Sequence, residues 1–174
     1  MVNLAGSTDT LVLVGAPAAG KSTIGRLVAE RTGAGFVDTD EEVARTLGMP
    51  LSEAYASLPG ERIAAAQTSA SLTALQRPGV VSLGSAAVEQ EAVRAALQGL
   101  DVVWLQVSVA QATRRLGMAA LGMEALTGLR KRMEALLAER EHWYDDVATA
   151  RVDTDKLDVE ATADRVAGLW EEAR

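Results

Sequence analysis

The stretch Gly15-Ala16-Pro17-Ala18-Ala19-Gly20-Lys21-Ser22 decides the fold of this chain. It fits the pattern G-x-x-x-x-G-K-[ST], which is the phosphate-binding P-loop. Residues 11–14 before it form an apolar run of strand length, and residues 21–30 after it place apolar side chains on one helical face. A strand, a glycine-rich loop and a helix in that order are the context that the motif requires.

The backbone of this loop explains its predicted chemistry. Gly15 and Gly20 carry no Cβ, so the loop can turn sharply and bring its N–H groups close to a phosphate. Lys21 is expected to reach the outer phosphates and the Ser22 hydroxyl to ligate Mg²⁺. The alternative is a plain glycine turn between a buried strand and a helix. The motif favours a site for ATP and Mg²⁺, with nucleotide contacts from Gly15, Ala18, Ala19, Gly20, Lys21, Ser22 and Thr23.

Composition limits the remaining function classes. The chain has 174 residues, 48 % of them hydrophobic, which is enough for a single domain spanning residues 1–174 with residues 1–10 as a flexible end. The net charge of −7 argues against nucleic-acid binding. The first residues do not resemble a signal peptide, and no apolar run reaches membrane-spanning length. A cytoplasmic protein that acts on small molecules is predicted, and protein partners stay open.

Apolar runs of strand length alternate with helical patterns along the whole chain. Predicted strands cover residues 11–15, 35–40, 80–84, 101–107 and 150–154, and predicted helices separate them. This alternation is typical of α/β proteins whose parallel sheet carries helices on both faces. We therefore expect a three-layer sandwich around a five-stranded parallel sheet.

Two carboxylates follow the second predicted strand. Asp38 and Asp40 are two residues apart, so in extended chain both would point toward the ligand-binding crevice. One of them could hold Mg²⁺ through water, and the other could accept a proton from an acceptor hydroxyl. The alternative for Asp40 is that it only caps the following helix.

Beyond the P-loop, an ordered set of segments resembles the shikimate kinase family, small P-loop kinases that phosphorylate shikimate with ATP. The resemblance runs from about Leu11 to Trp170, and only the P-loop is highly specific by itself. The further matching segments are Phe36–Asp40, Val81–Gly84, Val103–Leu105, Arg114-Arg115, Arg140 with Tyr144, and Arg151–Thr154.

The resemblance implies roles for individual residues. Lys21 would contact phosphate, Ser22 would ligate Mg²⁺ with Asp38 assisting through water, and Arg115 would lie against the adenine. Asp40 would bind the acceptor and orient its attacking hydroxyl, Gly84 would also line the acceptor site, and Arg140 would bind the acceptor carboxylate. Residues 116–129 would form a mobile lid; a plain helical hairpin is the alternative.

The chain also departs from the family in the predicted acceptor region. An acceptor-binding arginine of the family falls on Ala65, and three consecutive glycines fall on Gly84-Ser85-Ala86. The lid segment, residues 116–129, contains no arginine or lysine. Arg62 and Arg130 are the candidates to replace the missing charges.

Three functions are therefore compatible with the sequence. The first is a kinase that moves the γ-phosphoryl group of Mg-ATP to a small hydroxylated acceptor, shikimate or a related compound, through a degenerate acceptor site. The second is a weak or inactive nucleotide-binding relative with a regulatory or partner-binding role. The third is a kinase for an uncharged sugar or nucleoside, which would not need carboxylate-binding arginines.

Overall fold

The computed structural model of the chain describes residues 9–116 and 123–174, and its five strands form one parallel sheet. The spatial order is β2-β3-β1-β4-β5, with every neighbouring pair parallel. This confirms the predicted five-stranded parallel sheet. The strands are β1 (Thr10–Val14), β2 (Phe36–Asp38), β3 (Gly79–Ser82), β4 (Asp101–Gln106) and β5 (Ala150–Asp153).

Helices cover both faces of this sheet, as predicted. Helices α1 and α8 pack on one face, and α4, α5 and α7 pack on the other. Their bounds are α1 (Lys21–Thr32), α2 (Thr39–Leu47), α3 (Leu51–Ser57), α4 (Gly60–Ala74), α5 (Glu91–Ala96), α6 (Val109–Arg115), α7 (Met123–Val147) and α8 (Val159–Ala173).

Strand β1 shows why the sheet is buried on both sides. Successive side chains of a strand point to opposite faces, so Leu11 and Leu13 pack with α1 and α8 while Val12 and Val14 pack against the other helix layer. All four side chains are buried. A central strand of a parallel sheet needs such a continuous apolar run, which the sequence supplies.

The strand order also locates the site. Strand β1 lies between β3 and β4, so the chain adds strands first on one side of β1 and then on the other. Ligands of open α/β sheets bind at the carboxyl ends of the strands where this reversal occurs. The P-loop follows β1, Asp38 ends β2, and Gly84 follows β3, so all three lie at this edge.

The second predicted strand, residues 35–40, was too long, because β2 covers only Phe36–Asp38. Helix α3 begins at Leu51 directly after Pro50, and its first turn has no side-chain cap. Helix α5 begins at Glu91, after a separate 3-10 turn at Ala87–Glu89.

The predicted lid and flexible end lie only partly within the described residues. Residues 117–122 of the lid and residues 1–8 of the N-terminal end fall outside them. Residues 123–129 of the predicted lid belong to α7, and Thr10 belongs to β1. Within residues 9–116 and 123–174, no helix combines the length and the apolar character needed to cross a bilayer.

Candidate active site

The P-loop takes the conformation that its glycines allow. Gly15 has φ 149°, and a Cβ on this residue would lie 2.5 Å from the carbonyl oxygen of Leu105, so no other residue fits without a shift. Gly20 has φ 90° and directly precedes α1. Ala18 has φ 62°, a left-handed conformation that is uncommon for residues other than glycine. The loop therefore presents its backbone at the N-terminus of α1, where phosphates bind.

Lys21 is folded back onto this loop. Its Nζ donates hydrogen bonds to the carbonyl oxygens of Gly15 and Ala16, at 2.9 Å and 3.0 Å. Burial lowers the pKa of Lys21 to about 8, against the attraction of Asp40 and Asp38, which raises it. A buried ammonium group without a full counter-charge is ready to bind an anion, which is what a phosphate supplies.

Ser22 and Asp38 form the candidate metal site. The Ser22 hydroxyl donates a hydrogen bond to Oδ2 of Asp38, and Oδ1 of Asp38 accepts from the backbone N–H of Asp40 at 2.9 Å. A hydroxyl and a carboxylate are hard oxygen donors of the kind that Mg²⁺ binds with one or two protein ligands plus substrate phosphates and water. These two residues therefore fit Mg²⁺. Among residues 9–116 and 123–174, no cluster of three or more acidic or histidine side chains suggests another metal centre.

We expected Asp40 to lie in extended chain together with Asp38, and this was wrong. Strand β2 ends at Asp38, and Asp40 sits in the first turn of α2, so the two carboxylates approach the site from different elements. The alternative that Asp40 caps this helix is wrong, because Asp38 is the N-cap. Burial raises the pKa of Asp40, although Lys21 opposes that shift. The structure thus leaves the Asp40 side chain available and near the lysine.

Gly84 is placed directly behind Asp40. A Cβ on Gly84 would lie 2.3 Å from Oδ1 of Asp40, so any larger residue would displace the carboxylate. The backbone N–H of Gly84 donates to the Thr39 hydroxyl at 2.8 Å, which ties the end of β3 to the start of α2. Asp40 and Gly84, which were both expected in the acceptor site, are therefore in close contact.

Arg115 lies on the other side of the P-loop. Its guanidinium donates to the carbonyl oxygens of Ala18 at 3.2 Å and of Thr154 at 2.7 Å. A cavity of about 550 Å³ opens beside it, and the apolar side chains of Leu157 and Val159 at its edge are exposed. A flat planar group fits such a lining of arginine and aliphatic side chains. The cavity is lined by Ala18, Ala19, Gly20, Thr23, Ile24, Arg115, Leu116, Thr154, Leu157, Asp158, Val159 and Thr162.

Arg140 is close enough to Lys21 to lower its pKa, but it is already paired. Its Nε and Nη2 are each 2.6 Å from Oε1 of Glu89, and its Nη1 is 3.4 Å from Oγ of Ser85. The Tyr144 hydroxyl donates to the Ser85 carbonyl at 2.7 Å, and burial raises the pKa of Tyr144 to about 12, so this donor stays protonated. The arginine expected to bind an acceptor carboxylate therefore holds an internal carboxylate instead.

The candidate replacement arginines stay on the surface. Arg130 is exposed in α7 and pairs with Glu134 one turn along the same helix. Arg62 and Ala65 are both exposed near the start of α4. Nothing in these positions supports a role for Arg62 or Arg130 as a substitute for the missing arginine.

Sequence reasoning missed Glu89, Thr39 and Thr154. Thr39 lies between Asp38 and Asp40, so its position could have indicated a role at the site. Its hydroxyl accepts a hydrogen bond from the backbone N–H of Gly84. Thr154 ends the predicted fifth strand and accepts from Arg115 at 3.0 Å, which no spacing rule predicts. Glu89 and Arg140 are separated by 51 residues, and only the fold brings them together.

Comparisons with known proteins agree with this geometry. A family model described as shikimate kinase matches residues 17–169. A shikimate kinase of Thermobifida fusca is 39 % identical over 92 % of this chain and 94 % of that protein. A shikimate kinase of Mycobacterium avium is 41 % identical over 83 % of this chain and 84 % of that protein.

Solved structures show the same fold. A structure of shikimate kinase from Acinetobacter baumannii in complex with shikimate has a TM-score of 0.85 and 24 % identity, and it covers 95 % of this chain and 94 % of its own. At this identity the structural likeness concerns the fold alone.

Proposed function

This chain belongs to the shikimate kinase family, and from that premise we propose that it transfers the γ-phosphoryl group of ATP to a hydroxyl of shikimate or of a closely related small compound. One observation carries the proposal: Asp40, backed by Gly84, lies near Lys21 at the sheet edge that holds the P-loop. Phosphoryl transfer needs positioning and charge neutralisation more than covalent chemistry, and these residues supply both. Their retention argues against an inactive relative.

The nucleotide would bind across the P-loop. Backbone N–H groups of the loop and the N-terminus of α1 would cradle the phosphates, while the base would enter the cavity beside Arg115. Lys21 would leave the carbonyl oxygens of Gly15 and Ala16 and contact the outer phosphates as a point charge. Bound Mg²⁺, held by Ser22 and assisted by Asp38, would neutralise phosphate charge.

The acceptor would bind on the other side of Lys21, in contact with Asp40. The Asp40 carboxylate would accept a hydrogen bond from the attacking hydroxyl and take its proton as the new P–O bond forms, while the bond between the γ-phosphorus and the bridging oxygen breaks and ADP leaves. Lys21 would balance the negative charge that develops on the transferred group. We place the reaction in the cytoplasm, the compartment that supplies ATP.

Two measurements test this function. Mg-ADP at about 100 times its dissociation constant should stabilise the fold by roughly 2.7 kcal/mol, and Lys21→Ala should remove most of this stabilisation. A coupled assay of ADP release should show turnover that depends on shikimate or on a closely related hydroxylated compound such as its methyl ester. Thermal stabilisation without turnover on any such acceptor would refute the phosphotransfer step, and absence of both would refute the nucleotide site as well.

A further inference from the structure

The ion pair between Arg140 and Glu89 occupies the acceptor side of the site. The guanidinium is largely buried, with 13 % of the side chain exposed, whereas 33 % of the Glu89 side chain is exposed. A guanidinium binds a carboxylate best through two parallel N–H donors on one edge. Both donors of the Nε–Nη2 edge point at Oε1 of Glu89, so that edge is not available to a ligand.

The segment that carries Glu89 also touches Asp40. Gly84 lies against Oδ1 of Asp40, Ser85 lies 3.4 Å from Nη1 of Arg140, and Glu89 closes the following 3-10 turn. The hydrogen bond from Tyr144 to the Ser85 carbonyl holds this segment against α7. The ion pair therefore joins α7 to the segment whose first residue touches Asp40, the carboxylate that would meet the acceptor hydroxyl.

Resting on the function proposed above, we propose that Glu89 sets the acceptor selectivity of this enzyme by occupying the carboxylate-binding edge of Arg140. An acid in this site finds a guanidinium already neutralised and meets the negative charge of Glu89. An uncharged acceptor of the same shape meets neither penalty and still finds Nη1 of Arg140 and the Ser85 hydroxyl as polar contacts. The acceptor that this site favours is thus a small hydroxylated compound without a free carboxylate at this position.

A matched pair of acceptors tests the proposal. Shikimate and its methyl ester differ in one negative charge, so kcat/KM is measured for both with the wild type and with Glu89→Gln. The wild type is expected to prefer the ester. Glu89→Gln is expected to raise kcat/KM for shikimate by about 10- to 100-fold, mainly through KM, because a charged hydrogen bond is regained and a like charge is removed. Its kcat/KM for the ester should change less than about threefold by the same reasoning.

Two further variants separate this role from a structural one. Glu89→Ala frees the same guanidinium edge and should shift selectivity in the same direction. Glu91→Gln removes an equal charge from an exposed position two residues along and should leave the ratio of the two acceptors unchanged. If Glu89 only stabilises the loop, its variants lower kcat/KM for acid and ester together, and the proposal is overturned.

Calorimetric titration of shikimate in the presence of ADP completes the test, because it registers binding without turnover. Tighter shikimate binding by Glu89→Gln, without phosphorylation by any variant, would keep the selectivity proposal and reject the proposed reaction. Equal shikimate affinity of the wild type and Glu89→Gln would overturn the selectivity proposal, whether or not turnover is seen. No binding of either acceptor by any variant would overturn both.

Discussion

The proposed nucleotide side and the proposed acceptor side of this site are formed by different kinds of groups. The nucleotide side consists mainly of backbone groups of residues 15–22, whose geometry follows from glycine positions and a helix N-terminus. The proposed acceptor side would consist of side chains from distant segments, Asp40, Glu89 and Arg140, of which Glu89 and Arg140 form an ion pair. A backbone site tolerates sequence change around it, whereas a side-chain site changes its ligand when one partner is replaced. The same fold can therefore keep ATP as the phosphoryl donor while side-chain substitutions change which acceptor binds.

Asp40→Asn is expected to have the largest effect, because it removes the one acceptor-side group that the reaction itself needs. An amide cannot take the proton of the attacking hydroxyl, so turnover should fall by roughly 10²–10⁴. The affinity for Mg-ADP should stay nearly unchanged, since the phosphates are held by the P-loop. Steady-state kinetics and calorimetry measure the two quantities separately.

The control for Asp40→Asn is Glu41→Gln, at the next position in α2. Glu41 is exposed and pairs with Arg26, so its loss should leave turnover within about twofold, as for surface ion pairs in general. Equal turnover of Asp40→Asn and the wild type would show that Asp40 has no part in proton transfer. It would also contradict the idea that the acceptor side depends on individual side chains.

Ala65→Arg tests the acceptor side by adding a positive charge instead of removing a functional group. Ala65 is exposed on α4, so a longer side chain can be accommodated there. If this position faces the acceptor as the family resemblance implies, kcat/KM for shikimate should rise by about tenfold, the value of one added charged hydrogen bond. Kinetics with shikimate and its methyl ester measure this gain, which should be confined to the acid.

Ala173→Arg is the matched control, since it adds the same charge at the opposite edge of the sheet, near Leu11 and Asp101. An equal gain in both arginine variants would assign the effect to long-range attraction of an anionic substrate. No gain in Ala65→Arg would mean that this helix position does not reach the acceptor.

The contrast between the two sides also explains what could be predicted from the sequence. The P-loop, the parallel sheet and the roles suggested for Lys21 and Ser22 depend on local patterns that a sequence displays directly. The Glu89–Arg140 pair depends on two residues that share no local pattern. The placement of Asp40 failed in its detail because the capping side chain of Asp38 starts α2 one residue after the strand. Local hydrogen bonding of an aspartate overrode the expected continuation of the strand.

A pH dependence is expected on the nucleotide side. The pKa of Lys21 is about 8 in the nucleotide-free protein, and a phosphate binds the charged form. The lysine is mostly protonated at pH 7 and mostly neutral at pH 9, so the dissociation constant of ADP without added Mg²⁺ should rise roughly tenfold between these values. Titrations at several pH values measure it. Lys21→Arg stays charged throughout and should show a much flatter profile; identical profiles would assign the pH dependence to another group.

Ala18→Gly is expected to have the smallest effect and tests whether the P-loop itself stores strain. The left-handed conformation of Ala18 costs roughly 1–2 kcal/mol for an alanine, whereas a glycine adopts it freely but loses roughly 0.5–1 kcal/mol of backbone entropy on folding. The net stabilisation should be about 0.5–1 kcal/mol, or a rise in Tm of roughly 1–4 °C for a chain of this size.

Ala19→Gly is the control, because Ala19 is fully buried without a positive φ and its replacement should destabilise the fold by about 1 kcal/mol. A loss of stability in both variants would show that the loop gains nothing from glycine at residue 18, and that its conformation is held by the surrounding packing at no cost to the alanine.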